Sequence, residues 1–353
     1  MIEIQKELSQ IALDITEPEY RQRPELSYST LSTYETVGFT GLDHLFDRKE
    51  SPSLTLGSVV DTMLTGGEDE FRSLYTVLDI NVTDSGIDIC KSLISQNLPF
   101  DNFEEIPESI VSQVAKGVGF WQNDKYDNTR YKQVLKCGNV AEYYNAFYHA
   151  DKTIISSDTY QTALAMVRAL REAPATSGYF ADNDEMSPIR RYYQLKFAAN
   201  FEGVGYRNMA DLIVVDYERK KVYPIDLKTS MSCVEWEFES NFKRWHYYIQ
   251  ARLYWRIIRE NMDRDDFFKD FTLEDYRFII CNPKTLTPLI WEFPLTKTYG
   301  TLIDDDGKEI RDPFEIGKEL QAYLNLRPQV PNGINKDGIN IIKCLRVKED
   351  AEK

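Results

Sequence analysis

The chain has 353 residues, 42% of them hydrophobic and 13% aromatic, enough to fill the core of one large domain with insertions, or of two domains. A formal net charge of −15 excludes a protein coated in basic surface, so any nucleic-acid contact has to be a local groove in a repelling exterior. The cysteines, Cys90, Cys137, Cys233, Cys281 and Cys344, are scattered without a C-x-x-C pair and suggest neither a disulfide framework nor a zinc ribbon.

The N-terminal stretch MIEIQKELSQIALDITEPEY has charges breaking every apolar run, so it lacks a signal-peptide core. No apolar run anywhere approaches the about 18 residues of a membrane span. A soluble protein of the cytoplasm, in a bacterium or a phage-infected host, is expected. LSYSTLSTYE and LGSVVDTML predict two short helices, from the Ser and Thr at their starts and Gly57-Ser58 ahead of an apolar run. Residues 65–157, weakly periodic and rich in Asn, Asp, Tyr and Gly, read as a mostly helical insertion. SSDTYQTALAMVRALREAPAT is an amphipathic helix, capped at Ser157 or Asp158 and stopped before Pro174, with Leu164, Val167 and Leu170 at helical spacing. The period then changes, and YYQLKFAANFEGVGYRNMADLIVVDYERKKVYPIDLKTS predicts three strands, with DYERKK turning between the last two. FKRWHYYIQARLYWRIIREN returns to helical spacing, YRFIICN and PLIWEFP add two strands, and the tail from about Pro328 is loop-rich. There is no internal repeat. This order predicts an α/β or α+β domain with a mixed sheet. The division is 1–64 as N-terminal helices, 65–157 as the insertion, 158–327 as the main core and 328–353 as the tail.

Within the third strand, VYPIDLKTS places Asp226 and Lys228 on one face, since side chains at i and i+2 of a strand leave together. Charge in such an apolar segment needs compensation, by an ion pair or by a metal. An acid-x-Lys triplet alone is unspecific: Asp47-Arg48-Lys49, Glu218-Arg219-Lys220 and Asp306-Gly307-Lys308 also match, but in polar or turn-like surroundings. Only Asp226-Leu227-Lys228 lies in an apolar strand that follows a second acid, Asp211, in MADLIVVD. If those two strands form a hairpin, antiparallel pairing brings Asp211 near Asp226 and Lys228. Two carboxylates and the backbone carbonyl of Leu227 then make an incomplete oxygen cage suited to Mg²⁺, which keeps several waters.

The ordered set Asp211, Asp226-x-Lys228 and Gln250-x-x-x-Tyr254 resembles the PD-(D/E)XK nuclease superfamily, and within it the phage exonucleases of the RecE and lambda exonuclease type. LSYSTLSTY and LGSVVDTML resemble that family's N-terminal helices, so the likeness covers roughly 27–61 and 154–294 and leaves the insertion unmatched. The resemblance implies a restriction-endonuclease-like α/β core, a central mixed sheet flanked by helices. It also implies a DNA exonuclease acting at double-stranded ends, with Mg²⁺ or Mn²⁺ as cofactor, a single-strand annealing protein as partner and a ring-like homo-oligomer. Carried over by residue, Asp211 and Asp226 are metal ligands, Lys228 positions the attacking water, Gln250 orients substrate or the lysine, and Tyr254 supports Gln250. The family's Gly-Ser-x-x-His reads here Gly57-Ser58-Val59-Val60-Asp61, which makes Asp61 the extra ligand. The family's acid on the preceding strand has no clear counterpart: YYQLKF offers Gln194, and Glu185 lies earlier in a loop.

From Tyr217 to Arg259 there are nine Lys or Arg against five acids, a basic segment in an acidic chain. Lys243-Arg244-Trp245 combines cations with an aromatic, a mix able to hold phosphates and stack a base. Arg252, Arg256 and Arg259 are expected to face away from the metal, toward solvent or a neighbouring subunit. Tyr247 reads as core packing, and His44, His149 and His246 form no pattern. Two other readings stay open: an endonuclease or RecB-like module, and a non-cleaving DNA-end binder. Against the binder, mutually repelling carboxylates give it no advantage.

Overall fold

Thr16 and Ser27 open the first two helices, each side chain accepting a backbone N–H from its own first turn: α1 (Glu17–Gln22) and α2 (Tyr28–Val37). The computed structural model describes residues 4–38, 41–42, 45–46, 51–232, 235–295, 300–304 and 307–326. His44, Cys233, Cys344, Asp47-Arg48-Lys49, Asp306 and the tail 328–353 lie outside the described residues. After α2 come α3 (Pro52–Thr65), α4 (Gly67–Leu74), β1 (Tyr75–Val77), α5 (Asp84–Ser95), α6 (Glu108–Gly117), α7 (Arg130–Val134), α8 (Val140–Tyr148), β2 (Thr153–Ile155) and α9 (Ser157–Glu172). Beyond α10 (Ser177–Phe180), alternation of period two produces β3 (Ile189–Phe201), β4 (Val204–Asp216) and β5 (Lys221–Thr229). Next are α11 (Glu235–Arg244), α12 (Tyr247–Asp263), β6 (Thr272–Leu273), β7 (Tyr276–Cys281), β8 (Leu289–Phe293), β9 (Leu302–Ile303), β10 (Glu309–Ile310) and α13 (Pro313–Leu326).

The chain divides into two compact units, Met1–Gly57 with Met166–Lys353, and Ser58–Ala165, so the boundaries fall inside α3 and α9. In the first unit the sheet order is β3-β4-β5-β7-β8, with β6 beside β5. The β5–β7 pairing is parallel and the other neighbours on that path are antiparallel, a mixed sheet in an α/β fold. Parallel neighbours need a crossover, and α11 with α12 provide it. Ile249, Leu253 and Ile257 of α12 share a core with Ile213 and Val215 of β4, Val222 of β5 and Phe278 and Ile280 of β7. The second unit is mainly helical around its own core, which includes Ile89, Leu93, Val111, Val114, Val134 and Tyr144. Its thiols Cys90 and Cys137 are free and buried, and burial pushes Cys90 up to about 12. Among the described residues no helix is long and apolar enough to cross a membrane.

One local expectation changes, and one helix had no counterpart among the predicted elements. The run FKRWHYYIQARLYWRIIREN is two helices, because His246 takes a left-handed conformation (φ 55°) between α11 and α12. The stretch after Pro313 forms α13, where Asp312 accepts the Phe314 N–H and Ile316 and Leu320 enter the core. There Gly317 packs on Tyr206: an added Cβ would lie 2.2 Å from the phenol oxygen and 2.6 Å from a ring carbon. Tyr206 is fully buried and donates to the Phe314 carbonyl at 3.3 Å, so it has nowhere to move. Gly317→Ala is expected to cost about 1–3 kcal/mol through overpacking. A lowered urea midpoint at unchanged slope is the readout; an unchanged midpoint would mean that α13 can shift.

Candidate active site

Asp211 and Asp226 lie where two strands part. β4 and β5 pair from Asp216↔Lys221 to Leu212↔Ile225 and stop there, one residue before the two acids would face each other. On the other side of β4, Tyr193↔Leu212 and Leu195↔Ala210 place Gln194 opposite Asp211. Gln194 is left-handed, φ 53°, in mid-strand, a conformation that costs a non-glycine residue on the order of 1 kcal/mol. In the gap, Asp211 Oδ2 accepts the Leu227 N–H at 3.0 Å, which turns its carboxylate toward β5.

Asp226 is 1% exposed and held from two sides. Lys228 Nζ stands 2.8 Å from its Oδ2, and Gln250 of α12 donates Nε2 to its Oδ1. The same ammonium lies 4.9 Å from the centre of the Tyr247 ring. Burial disfavours the charged lysine, but Asp226, followed by Tyr247, Asp211 and Tyr28, more than offsets it and raises Lys228 above the ordinary lysine range. Lys228 is therefore held as a positive charge beside Asp226 at neutral pH. Tyr254, one turn after Gln250, is buried, and burial drives its phenol far up, with Tyr20, Asp211, Asp226 and Tyr28 adding to the effect. Tyr276 of β7 behaves alike, through burial and then Asp226, Tyr254 and Asp211. The acids are thus surrounded by neutral phenols.

The expected set Asp211, Asp226, Lys228, Gln250 and Tyr254 comes together in the first unit. Leu227 lies between the two charges on β5. Tyr247 packs with Phe238 and Phe278, and also carries the Lys228 ammonium over its ring. Tyr28 and Tyr276 were not anticipated; no spacing in the chain links either to Asp226. Asp61 is partly buried on α3, one turn past Gly57, and belongs to the second unit. Gly57 itself approaches the end of β5, where an added Cβ would lie 3.1 Å from Thr229 Oγ1. Glu185 sits in an exposed turn before β3.

Lys243, Arg244 and Trp245 are exposed at the end of α11, Trp245 by 50%, with the Arg244 guanidinium 5.0 Å from its ring centre. The arginines of α12 divide. Arg256 is exposed over the Phe201 ring, and Arg259 donates to Asp263. Arg252 departs from expectation: it is 3% exposed, paired with Asp312 at 3.1 Å and bonded to the Gly300 carbonyl at 2.8 Å. The reason is that the chain around α13 covers this side of α12, which a helical wheel of α12 alone does not reveal.

Two buried oxygens here lack a hydrogen-bond partner, Oδ2 of Asp226 and Oε1 of Gln250. Lys228 is close to the first but not aligned for a hydrogen bond. Carboxylates, an amide oxygen and a backbone carbonyl are hard donors of the kind Mg²⁺ or Mn²⁺ takes, and Mg²⁺ commonly uses one or two carboxylates and keeps waters. Among the described residues no group of three or more His, Cys, Asp or Glu side chains gathers as a metal cage. The residues fit a cation held by few protein oxygens, with other positions left to water and substrate.

No family model and no curated protein matches the chain. Among solved structures it is similar to a "putative exonuclease" from Eubacterium rectale, at 13% identity over 97% of each chain, with a TM-score of 0.43.

Proposed function

We propose that this chain is a metal-dependent DNA nuclease, an exonuclease hydrolysing phosphodiester bonds from duplex ends in phage-type recombination or DNA processing. The observation that carries the reading is Asp226, buried between Lys228 and Gln250, with Asp211 aimed at the same strand from the neighbouring one. Asp211, Asp226 and the Leu227 carbonyl hold Mg²⁺ or Mn²⁺ in this reading. When bound, the cation lowers the pKa of a coordinated water and takes up charge on the phosphate. Lys228, charged and fixed by Asp226, orients the attacking water and attracts the phosphate oxygens. Gln250 holds Asp226 in place and turns Oε1 to the water or substrate, and Tyr254 backs it. Lys243 and Arg244 hold phosphates of the approaching strand, and Trp245 stacks on a base. Working in the cytoplasm of a bacterium or phage-infected cell, as a homo-oligomer that hands single strands to an annealing protein, completes the proposal.

An end-labelled linear duplex, incubated with and without Mg²⁺, tests it. Metal-dependent trimming from the ends supports the exonuclease, and cutting of closed circles would reassign it as an endonuclease or RecB-like module. Binding without cutting in any divalent cation would leave a DNA-end binder.

A further inference from the structure

The turn that launches α12 is held by a neighbouring helix in an unusual way. At its N-cap His246 is left-handed and makes no side-chain cap bond, whereas N-caps ordinarily have extended backbone and a side-chain acceptor. The carbonyl just before it, of Trp245, accepts from two hydroxyls of α2: Tyr28 at 2.6 Å and Ser32 at 3.3 Å. Tyr28 and Ser32 are four residues apart and so share one face of α2. Ser32 Oγ also lies 3.4 Å from Nδ1 of His246. The first residue after this turn is Tyr247, whose ring lies under the Lys228 ammonium and 6.5 Å from the Tyr28 ring. Three residues later comes Gln250, which holds Asp226. One peptide group therefore sets the direction in which α12 leaves toward Lys228 and Asp226.

We propose that Tyr28 and Ser32 are positioning residues: their hydroxyls clamp the Trp245 carbonyl in a strained turn and thereby register Tyr247 on Lys228 and Gln250 on Asp226. This rests on the nuclease reading of the site. The clamp is separable from the fold, because α2 is anchored in the core by Leu31 and Tyr34, 0% and 2% exposed, whatever the two hydroxyls do.

The test uses the full chain as wild type, Tyr28→Phe, Ser32→Ala and the double variant. Thr36→Ala is the control, since Thr36 bonds the Ser32 carbonyl on the same helix, away from the turn. Cleavage of a linear duplex in Mg²⁺ is expected to show kcat lower by about tenfold to a hundredfold in the double variant, the scale of a small misplacement of reacting groups. KM is expected to stay within about twofold, as is normal when ground-state binding is untouched. The urea midpoint should not move, Mn²⁺ affinity by calorimetry without DNA should weaken, and the amides of residues 247–250 should exchange faster. A double variant with wild-type kcat and exchange overturns the clamp, as does a loss of kcat that Thr36→Ala shares. Should the wild type cut no DNA in any divalent cation, the nuclease reading falls by itself. Amide exchange at 247–250 then decides the clamp alone: faster in the double variant upholds it, unchanged overturns it.

Discussion

Asp226→Ala is expected to reduce metal-dependent cleavage by about 10³-fold or more while the protein stays folded. The side chain is the one group in contact with both other polar partners, Lys228 at 2.8 Å and Gln250 through Oδ1. Its loss removes a carboxylate ligand and frees both partners at once. A hard cation contributes several kcal/mol to phosphate chemistry, and about 4 kcal/mol corresponds to roughly a thousandfold in rate. The measurement is single-turnover cleavage of an end-labelled duplex over a Mg²⁺ titration, with urea unfolding as the control. A rate within about tenfold of wild type at saturating Mg²⁺, far below the several kcal/mol at stake, would place the cation elsewhere.

Lys228→Met is expected to have the largest effect on stability, and that effect should depend on divalent metal. Methionine keeps much of the length and removes the charge, leaving Asp226 as a carboxylate buried at 1% exposure with no cation beside it. Breaking a buried pair in this way typically costs about 3–5 kcal/mol; Lys228 is 21% exposed, so the lower end applies. The folded pKa of Lys228 lies above its unfolded value, so its contribution is fully present below the unfolded lysine pKa of about 10.4 and is lost only as pH rises through the folded value. Urea titration at neutral pH therefore reads all of it. If Asp226 is a ligand, Mg²⁺ replaces the missing charge, and at a hundred times its Kd it should restore about 2.7 kcal/mol. Wild type gains less, because there the carboxylate already has its counter-charge. Cleavage should fall by about a hundredfold or more, the usual share of a group that handles the water. Equal stabilisation of both proteins by Mg²⁺ would separate the cation from Asp226. Adding Asp226→Asn to Lys228→Met should recover stability without metal, because it removes the uncompensated charge.

The strands carrying these charges were readable in the chain. ADLIVVD and VYPIDLK are apolar runs rich in β-branched residues on either side of the polar YERKK turn, a pattern that suits a hairpin, and β4 and β5 pair across it. Asp226 and Lys228 share a face because the period of a strand is two, a property of the backbone that needs no neighbours. The capping of α2 by Ser27 follows from local chemistry in the same way. The helix α13 carries signals of the same local kind, Asp312-Pro313 at the start and Ile316 and Leu320 at helical spacing.

The break at His246 was not readable, because FKRWHYYIQARL keeps its apolar spacing straight through it. A non-glycine residue turns left-handed there only where surrounding contacts hold it, and the Tyr28 and Ser32 hydroxyls come from a helix more than two hundred residues earlier. Gln194 in mid-β3 has the same character: nothing in YYQLKF marks it as left-handed, and its position opposite Asp211 exists only once β3 and β4 are paired. The fate of Arg252 depends likewise on Asp312 arriving from another part of the chain.

The sequence by itself determined the α/β alternation, the hairpin and the shared face of Asp226 and Lys228, since caps, turns and periodicity act between residues within a few positions of each other. Only the tertiary structure decided that β4 and β5 part beside Asp211, that Gln250 reaches Asp226, and that four tyrosines close around them. Those contacts join residues 28, 211, 226, 250 and 276, whose meeting is set by how helices and sheet pack on one another, and no local pattern of side chains encodes that geometry.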